Sequence, residues 1–276
     1  IVVGGELREA DELVQALRRF FRTHKLPRQN VRLGISNNRV GVRTFEIAGI
    51  EDEKQLANAI KYRAQETLPI PVEEAVLDYQ VLGERIDDEG VLHRRVLLVV
   101  AYRDLIDRYA LACKKAGLRL AGIDLEAFAL LRALAPPPTA EPSSSAIVVV
   151  SVGHDRTTFA VSDGQACQFT RVLDWGGHSL DVAIAKALDL SPSEAEPIKL
   201  TLSLAEPSIP AGLTSEQADQ VRDAVNLQVH AFARELISSL QFYQSQPGSL
   251  GIGEIVLTGG TAQLPGLAGE GPEVHL

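Results

Sequence analysis

The chain has 276 residues, enough for two packed domains, and its 45% apolar and 23% charged residues are ordinary for a globular protein. Its formal net charge of -9 argues against nucleic acid or an anionic membrane surface as the main partner, because both favour a basic face. No apolar run reaches the ~18–20 residues of a membrane span, so direct membrane insertion is not expected.

The sequence contains 2 cysteines and 0 methionines. Cys113 and Cys167 have no metal-ligand spacing and are predicted to be reduced core residues of a cytosolic protein. Because even position 1 is not Met, we expect the natural chain to begin before Ile1.

In the first half, residues 6–21 have apolar side chains at helical spacing, with Asp11 as the expected N-cap. Residues 30–36 and 40–47 alternate like strands on either side of a short turn, so they are predicted to form a hairpin. Residues 51–125 follow as a small α+β module. Its predicted elements are helices at 53–68 and 104–116 and strands at 76–82, 94–101 and 118–123.

A helix at 125–134 precedes residues 136–145, whose Pro- and Ser-rich composition predicts an extended linker between the halves. The second half opens with three strands joined by short turns, a pattern that predicts an antiparallel meander. Helices and one buried strand follow. The predicted strands are 146–153, 157–161, 168–173 and 252–257, and the predicted helices are 179–188, 192–202 and 215–244.

Three short turns of the second half place small residues where a phosphate or a nucleoside can approach the backbone. They are residues 152–157 at a hairpin tip, 175–178 before a helix and 257–262 after a strand. Amide groups of a hairpin tip can cradle a phosphate, and paired glycines beside a helix N-terminus allow close approach of an anion. Each turn, taken alone, is equally well explained as an ordinary tight turn.

Glu196 and Lys199 place a carboxylate and an ammonium three residues apart on a predicted helix. This spacing gives a surface ion pair by default, and it also suits a clamp for ribose hydroxyls and an adenine ring. The common hydrolase, zinc-protease and Walker A motifs do not occur. The six histidines lack ligand spacing, and residues 87–89 are interpreted as a solvated acidic turn. We therefore predict neither a catalytic residue nor a metal site.

Taken in order, these segments resemble the actin-like ATPase superfamily and, within it, the PilM family of type IV pilus assembly. The resemblance spans nearly the whole chain and is most specific at residues 68–82 and in the Leu-Thr-Gly-Gly turn at 257–260. The segments that carry it are residues 40–46, 59–71 with the Glu66-to-Pro71 ending, 76–82, 116–118, 123–133, Gly176-Gly177, Ala195-Glu196 with Lys199, 236–243 and 257–267.

The resemblance implies an α/β, two-lobed actin-like (ribonuclease H-like) fold around a nucleotide cleft, with an inserted small α+β subdomain. The first strands and the first phosphate loop are expected to precede Ile1. By this resemblance lobe 1 comprises residues 1–50 completed by 126–135, the inserted subdomain is 51–125, the linker is 136–145, and lobe 2 is 146–276 with a helical subdomain at 186–230.

The resemblance also implies that the cleft binds ATP together with Mg. Family members usually have Asp where this chain has Ser151, so we expect weak ATP hydrolysis at most. By resemblance Gly153 and Thr157 belong to a phosphate hairpin, Glu196 and Lys199 face the ribose and base, Gly259, Gly260 and Thr261 face the adenosine, and Gly176 and Gly177 complete the site.

The implied role is a cytoplasmic assembly scaffold that docks the N-terminal cytoplasmic tail of a PilN-like inner-membrane protein, beside pilus motor and platform proteins. Such a protein is peripheral to the inner membrane through its partner. One alternative is an actin-like ATPase or small-molecule kinase, which should show a carboxylate base near the hairpin. Another is a type II secretion protein or an FtsA-like division protein, and the latter should carry a C-terminal amphipathic membrane helix.

Overall fold

The computed structural model describes residues 1–67, 71–136, 143–206 and 209–269. Residues 137–142 of the predicted linker and residues 68–70 of the motif that ends at Pro71 lie outside the described residues. The chain divides into two compact units: unit 1 is Ile1–Ala133 with Gln165–Thr170, and unit 2 is Leu134–Gly164 with Arg171–Leu276. The finer subdomain limits proposed from the sequence stay predictions.

Unit 1 mixes helices and strands. Its helices are α1 (Ala10–Thr23), α2 (Glu53–Thr67), α3 (Arg103–Lys115) and α4 (Glu126–Leu134). Its strands are β1 (Val2–Val3), β2 (Glu6–Leu7), β3 (Val31–Ile35), β4 (Val40–Ala48), β5 (Ala75–Ile86), β6 (Leu92–Tyr102) and β7 (Leu120–Leu125). The predicted start of the first helix was wrong: β2 pairs with β1, and Glu9 rather than Asp11 holds the N-cap position of α1.

An antiparallel sheet in the order β4-β6-β5 forms one core of unit 1. Leu56 and Ile60 of α2 and Val96 and Leu98 of β6 are almost completely buried in the same cluster. Burying a large aliphatic side chain contributes about 1.5–3 kcal/mol, so this apolar face attaches the helix to the sheet.

The acidic stretch between β5 and β6 is a turn, as predicted. The carboxylate of Asp87 accepts hydrogen bonds from the N–H groups of Glu89 and Val91, and Gly90 has a φ of 80°. His93 Nε2 lies 2.8 Å from the same carboxylate, and this hydrogen bond helps to hold the pKa of Asp87 below its ordinary value.

The predicted hairpin of β3 with β4 was wrong. β3 pairs parallel to β7, whereas β4 pairs antiparallel to β6. The chain does turn between them, because the side chain of Asn37, only 2% exposed, accepts the N–H of Arg39 at 2.8 Å. After this turn, β4 joins a different sheet from β3. An alternating pattern alone cannot tell whether two strands pair with each other or with other strands.

Unit 2 contains the elements that form the candidate site. Its strands are β8 (Ala146–Val152), β9 (Thr157–Ser162) and β11 (Ile252–Thr258), and it also holds the end of β10 (Cys167–Leu173), whose first residues belong to the Gln165–Thr170 segment of unit 1. Its helices are α5 (Gly177–Leu188), α6 (Pro192–Leu200) and α7 (Ser215–Gln244). The bounds of α7 are those predicted, and Thr214 and Gln217 form a capping box at its start.

The strand order β10-β9-β8-β11 agrees with the predicted meander of three consecutive strands. β8 pairs antiparallel to β9 and parallel to β11, and every residue of β8 and β9 is buried. Parallel neighbours end at the same edge of a sheet, so the turns after β8 and β11 lie side by side.

Two absences apply to the described part of the chain. There, no helix has the length and apolar character needed to cross a membrane. Within the same residues, no group of three or more His, Cys, Asp or Glu side chains is arranged to hold a metal ion. The two cysteine thiols are buried, as the sequence predicted.

Candidate functional site

Three turns of unit 2 meet at one end of the sheet: residues 153–156 at the β8–β9 hairpin tip, 175–177 at the start of α5 and 259–261 after β11. We call this meeting point the turn junction. Gly259 has a φ of 94°, and a Cβ atom there would lie 2.4 Å from the carbonyl oxygen of Val152. Glycine is required at this position by both the backbone conformation and the close approach of β8.

The hairpin tip and the start of α5 are joined by backbone hydrogen bonds. The N–H of Gly177 donates to the carbonyl of Gly153 at 2.9 Å, and the N–H of His178 donates to that of His154 at 2.8 Å. A Cβ atom on Gly176 would lie 2.4 Å from the His154 oxygen, so this glycine also permits close backbone packing. The N–H groups of Gly177 and His178, at the start of α5, are therefore already hydrogen-bonded to protein carbonyls.

The prediction that amide groups of the hairpin tip can cradle a phosphate needs correction at Gly153. Its N–H donates to the carbonyl of Arg156 at 2.9 Å. A phosphate at this tip therefore cannot rely on the amide of Gly153 while that bond is in place.

Thr157 binds the backbone of the turn that leads into α5. This residue is fully buried, and its hydroxyl donates to the carbonyl of Trp175 at 2.9 Å. The indole of Trp175 stacks on Phe232 of α7, with ring centroids 4.0 Å apart and planes 7° from parallel. The hydrogen bond and the stacked rings fix the residue that precedes Gly176-Gly177.

Lys199 reaches the junction from α6. Its Nζ atom lies 2.8 Å from Oδ2 and 2.7 Å from Oδ1 of Asp181, and it donates to the carbonyl of Gly177 at 3.3 Å. A Cβ atom on Gly177 would lie 3.2 Å from this Nζ and 2.6 Å from Oγ1 of Thr261. Lys199 and Thr261 therefore converge on the start of α5.

Two other predicted site residues lie at the periphery. Gly260 has a φ of -62°, and a Cβ atom there would meet nothing within 4 Å, so its surface is open to an approaching molecule. Glu196 is exposed on α6, one turn before Lys199. The structure thus brings seven of the nine predicted residues together at the turn junction, with Thr157 and Gly259 attached through Trp175 and Val152, and leaves Gly260 and Glu196 open to solvent.

Sequence reasoning missed Asp181. This residue is 2% exposed on α5, next to the fully buried Leu180 and one turn before the fully buried Ile184. An acidic residue on the apolar face of an amphipathic helix was the signal in the sequence, because a buried carboxylate requires a partner. Its partner is Lys199, on a different helix.

This arrangement of strands and helices is an actin-like fold. A solved PilM-PilN type IV pilus biogenesis complex matches with a TM-score of 0.77 and 24% identity over 97% of this chain and 73% of that one. The structure of MreB5 of Spiroplasma citri bound to ADP matches with a TM-score of 0.55 and 14% identity, over 96% and 68% of the two chains. The chain belongs to the type IV pilus assembly protein PilM family, whose model matches residues 1–270.

The chain is also related to the cell division protein FtsA. It is 27% identical to FtsA of Escherichia coli (strain K12) over 241 residues and 23% identical to FtsA of Bacillus subtilis (strain 168) over 304 residues. These alignments cover 79% and 95% of this chain, but the chain spans only 56% and 66% of the two relatives. The predicted family and the relation to FtsA are confirmed.

Proposed function

We propose that this chain is an actin-like scaffold of type IV pilus assembly, which binds ATP with Mg²⁺ and docks the N-terminal cytoplasmic tail of a PilN-like inner-membrane protein. The family match over residues 1–270 supports the assembly role. The solved neighbour that is described as a PilM-PilN complex supports the choice of partner. In this proposal the protein is cytoplasmic, is held at the inner membrane by that partner and lies beside the pilus motor and platform proteins.

One observation carries the proposal of a nucleotide site: Nζ of Lys199 and Oγ1 of Thr261 both lie within 3.2 Å of the position that a Cβ atom on Gly177 would take. These protein atoms fill the space over the buried Gly177, so a ligand has to approach them from outside it, and the open surface of Gly260 adjoins Thr261. Such polar groups around glycine backbone fit a nucleoside. The neighbour bound to ADP supports the same ligand class.

The proposed site comprises the nine residues predicted from the sequence. Lys199 and Glu196 are assigned to the ribose and base, Gly260 and Thr261 to the adenosine, and the hairpin tip to the phosphates. The remaining glycines and Thr157 keep the three turns together. Bound ATP would supply binding free energy that favours one arrangement of the protein over others.

Hydrolysis is proposed to be weak at most. Ser151, the last residue but one of β8, lies between Thr158 of β9 and Thr258 of β11, and it is only 9% exposed. A serine hydroxyl has no charge and is a poorer Mg²⁺ ligand than a carboxylate. Phosphoryl transfer depends on positioned metal and water, so this position favours binding over turnover.

The fluorescence of Trp175 tests nucleotide binding directly, because the chain contains 1 Trp and that residue precedes the Gly176-Gly177 turn. We expect a saturable change in its emission on titration with MgATP. Lys199→Met should weaken this binding about tenfold, the value of one lost hydrogen bond to a charged group. Lys186→Met is the matched control, since Lys186 also lies in the last turn of a helix and is exposed. No saturable change, together with no heat of binding in calorimetry, excludes ATP as a ligand.

Partner docking is tested separately with a synthetic peptide of the N-terminal tail of a PilN-like protein. The purified protein should bind this peptide and not a scrambled peptide of the same composition. It should also sediment with inner-membrane vesicles only when they contain the PilN-like protein. Equal binding of both peptides, or sedimentation without the partner, contradicts the scaffold proposal.

A further inference from the structure

We propose that Asp181 is a positioning residue of the turn junction, which acts by holding the ammonium group of Lys199 over Gly177. This inference rests on the proposed nucleotide-binding function, and it adds to that site a residue outside all three turns. The role is assigned from three observations: the place of Asp181 on α5, the burial of its ion pair and the hydrogen-bonding capacity that remains on Lys199.

The first observation is geometric. Asp181 follows Gly177 by one helical turn, so both residues lie on the same face of α5. Lys199 comes from α6 and places its Nζ atom 2.8 Å from the Asp181 carboxylate and 3.3 Å from the Gly177 carbonyl. The ammonium is therefore held along this face, at the side of Gly177 that Thr261 also approaches.

The second observation is burial. The side chain of Asp181 is 3% exposed and that of Lys199 is 12% exposed. Removing two charges from water is costly, and apolar residues of similar volume often stabilise a fold as well as such a pair does. A gain in folding stability therefore does not explain why this buried ion pair is present. Its position at the rim of a candidate ligand site is explained by a role in ligand binding.

The third observation concerns what Lys199 can still donate. An ammonium has three N–H donors, and among the described residues Asp181 and Gly177 accept two of them. One donor is left to meet a ligand. The charge of Lys199 is balanced by Asp181, so this end of the site offers a directed hydrogen bond without a net positive charge. An uncharged acceptor such as a hydroxyl fits it better than a phosphate does.

Thr261 completes this recognition. Its hydroxyl donates to the carbonyl of Gly153 at 2.8 Å, so the oxygen can accept a hydrogen bond from a ligand. In this proposal a ligand group that approaches from outside the filled space over Gly177 meets a donor from Lys199 and an acceptor from Thr261. Without the carboxylate of Asp181, the flexible four-carbon stem of Lys199 would leave the donor unfixed.

Competitive labelling of the ligand-free protein tests the holding contact. An amine-reactive reagent is used below saturation, and modified peptides are quantified by mass spectrometry, with the exposed Lys186 as an internal reference. We expect Lys199 to react about tenfold more slowly than Lys186 in the wild-type protein, because its ammonium is held against Asp181 and Gly177 and its side chain is only 12% exposed to the reagent. In Asp181→Asn, Lys199 should react at a rate close to that of Lys186. An unchanged rate for Lys199 in a variant whose circular dichroism is native overturns the proposal.

A double-mutant cycle separates positioning from a merely structural role. Asp181→Asn and Lys199→Met should each weaken MgATP binding about tenfold, and the double variant should bind no more weakly than Lys199→Met alone. This non-additivity follows if Asp181 acts through Lys199. Additive losses show that Asp181 supports the site without Lys199 and contradict the proposal. The double variant also lacks an unpaired buried charge, so it remains measurable if either single variant is unstable.

The two experiments distinguish this inference from the function on which it rests. If the wild-type protein binds no MgATP but Lys199 labelling responds to Asp181→Asn as expected, the nucleotide proposal fails and the holding contact stands. If MgATP binds and Asp181→Asn changes neither labelling nor affinity, the nucleotide proposal stands and the role of Asp181 fails.

Discussion

The hydroxyl of Thr261 donates a hydrogen bond of 2.8 Å to the carbonyl oxygen of Gly153, which also accepts the N–H of Gly177 at 2.9 Å. One oxygen atom therefore connects the hairpin tip, the start of α5 and the turn after β11. Both contacts join segments that are well separated in the sequence. Their geometry depends on the parallel pairing of β8 with β11, which places the turns side by side.

Thr261→Val removes this hydroxyl with little change in shape. We expect the free energy of unfolding to fall by about 1–2 kcal/mol, because a partly buried carbonyl loses one of its two donors. Guanidinium chloride unfolding measures the change. Thr201→Val is the control, since the exposed hydroxyl of Thr201 donates to the Ile198 carbonyl within its own helical turn. If Thr261→Val lowers the free energy of unfolding no more than Thr201→Val does, the Thr261 hydroxyl does not hold the three turns together.

Unit 2 could be predicted well from the sequence because its elements carry local signals. Residues 215–244 combine a helical apolar period with the capping pair Thr214 and Gln217, and the observed helix has those bounds. The meander of β8, β9 and β10 follows from short turns between apolar strands, with Gly164 at a φ of 84° in the second turn.

The pairing of β3 and β4 could not be predicted in this way. Both segments alternate, and Asn37 begins a genuine turn between them, so local rules favour a hairpin. β4 instead pairs with β6 over its whole length, from Val40 with Ala101 to Ala48 with His93. β6 is strongly apolar and buries one face against α2, and this long-range burial decides which strand pairs with β4.

The local sequence patterns predict only separate turns, and it is the family resemblance that assigns these turns to one site. Glycine pairs mark positions where backbones or ligands approach closely, and the sequence cannot tell which of the two approaches. The structure shows that Gly176 and Gly259 face protein carbonyls, whereas Gly260 faces open space. The link between Asp181 and Lys199 joins two helices, so no local pattern contains it.

This difference between glycines gives a second prediction. Gly177→Ala places a Cβ atom 2.6 Å from Oγ1 of Thr261, and we expect about 1–3 kcal/mol of destabilisation from overpacking. Gly260→Ala has room and a φ of -62°, so it should be neutral or stabilising by up to about 1 kcal/mol. Thermal and denaturant unfolding of the two variants measure these changes.

The cause of the Gly177→Ala effect can be checked by removing the atom it meets. Combined with Thr261→Ala, the substitution should cost less than the sum of the two single changes. Gly260→Ala should weaken MgATP binding although it preserves stability, if a nucleoside lies against this backbone. If the stability losses of Gly177→Ala and Thr261→Ala add fully, contact with Thr261 is not the cause of the Gly177→Ala effect. If Gly260→Ala leaves the MgATP affinity unchanged, Gly260 is not part of the proposed site.

A third prediction concerns Arg39 in unit 1. Its guanidinium donates to Asp104 at 3.1 Å and to Glu6 at 3.3 Å, and it lies 4.2 Å from the ring centroid of Tyr102. The hydrogen bond from Arg39 lowers the pKa of Asp104 from its ordinary value of 3.8. In Arg39→Met, NMR titration should show the Asp104 pKa rising toward that value.

The same contact makes stability depend on pH in a defined direction. Because the folded-state pKa of Asp104 is depressed, its contribution is present above the unfolded-state pKa and is lost as pH falls through the folded-state pKa. Both partners are partly exposed, so the contribution should be at most about 1 kcal/mol at neutral pH. Arg132→Gln, which removes the partner of Asp124 instead, should leave the Asp104 titration unchanged. An Asp104 pKa that does not move in Arg39→Met excludes Arg39 as the cause.

The last prediction separates two possible uses of Lys199. If its ammonium were a counter-charge for the phosphates, Lys199→Met would weaken ATP binding more than ADP binding, because ATP carries more negative charge. Asp181 balances the charge of Lys199, with Nζ 2.7 Å from Oδ1, so we expect Lys199→Met to weaken both ligands by the same factor of about tenfold. Calorimetric titration with MgATP and MgADP measures the ratio of the two dissociation constants, and Lys186→Met controls for the lost surface charge. A ratio that shifts severalfold in Lys199→Met, but not in Lys186→Met, would place the ammonium at the phosphates instead.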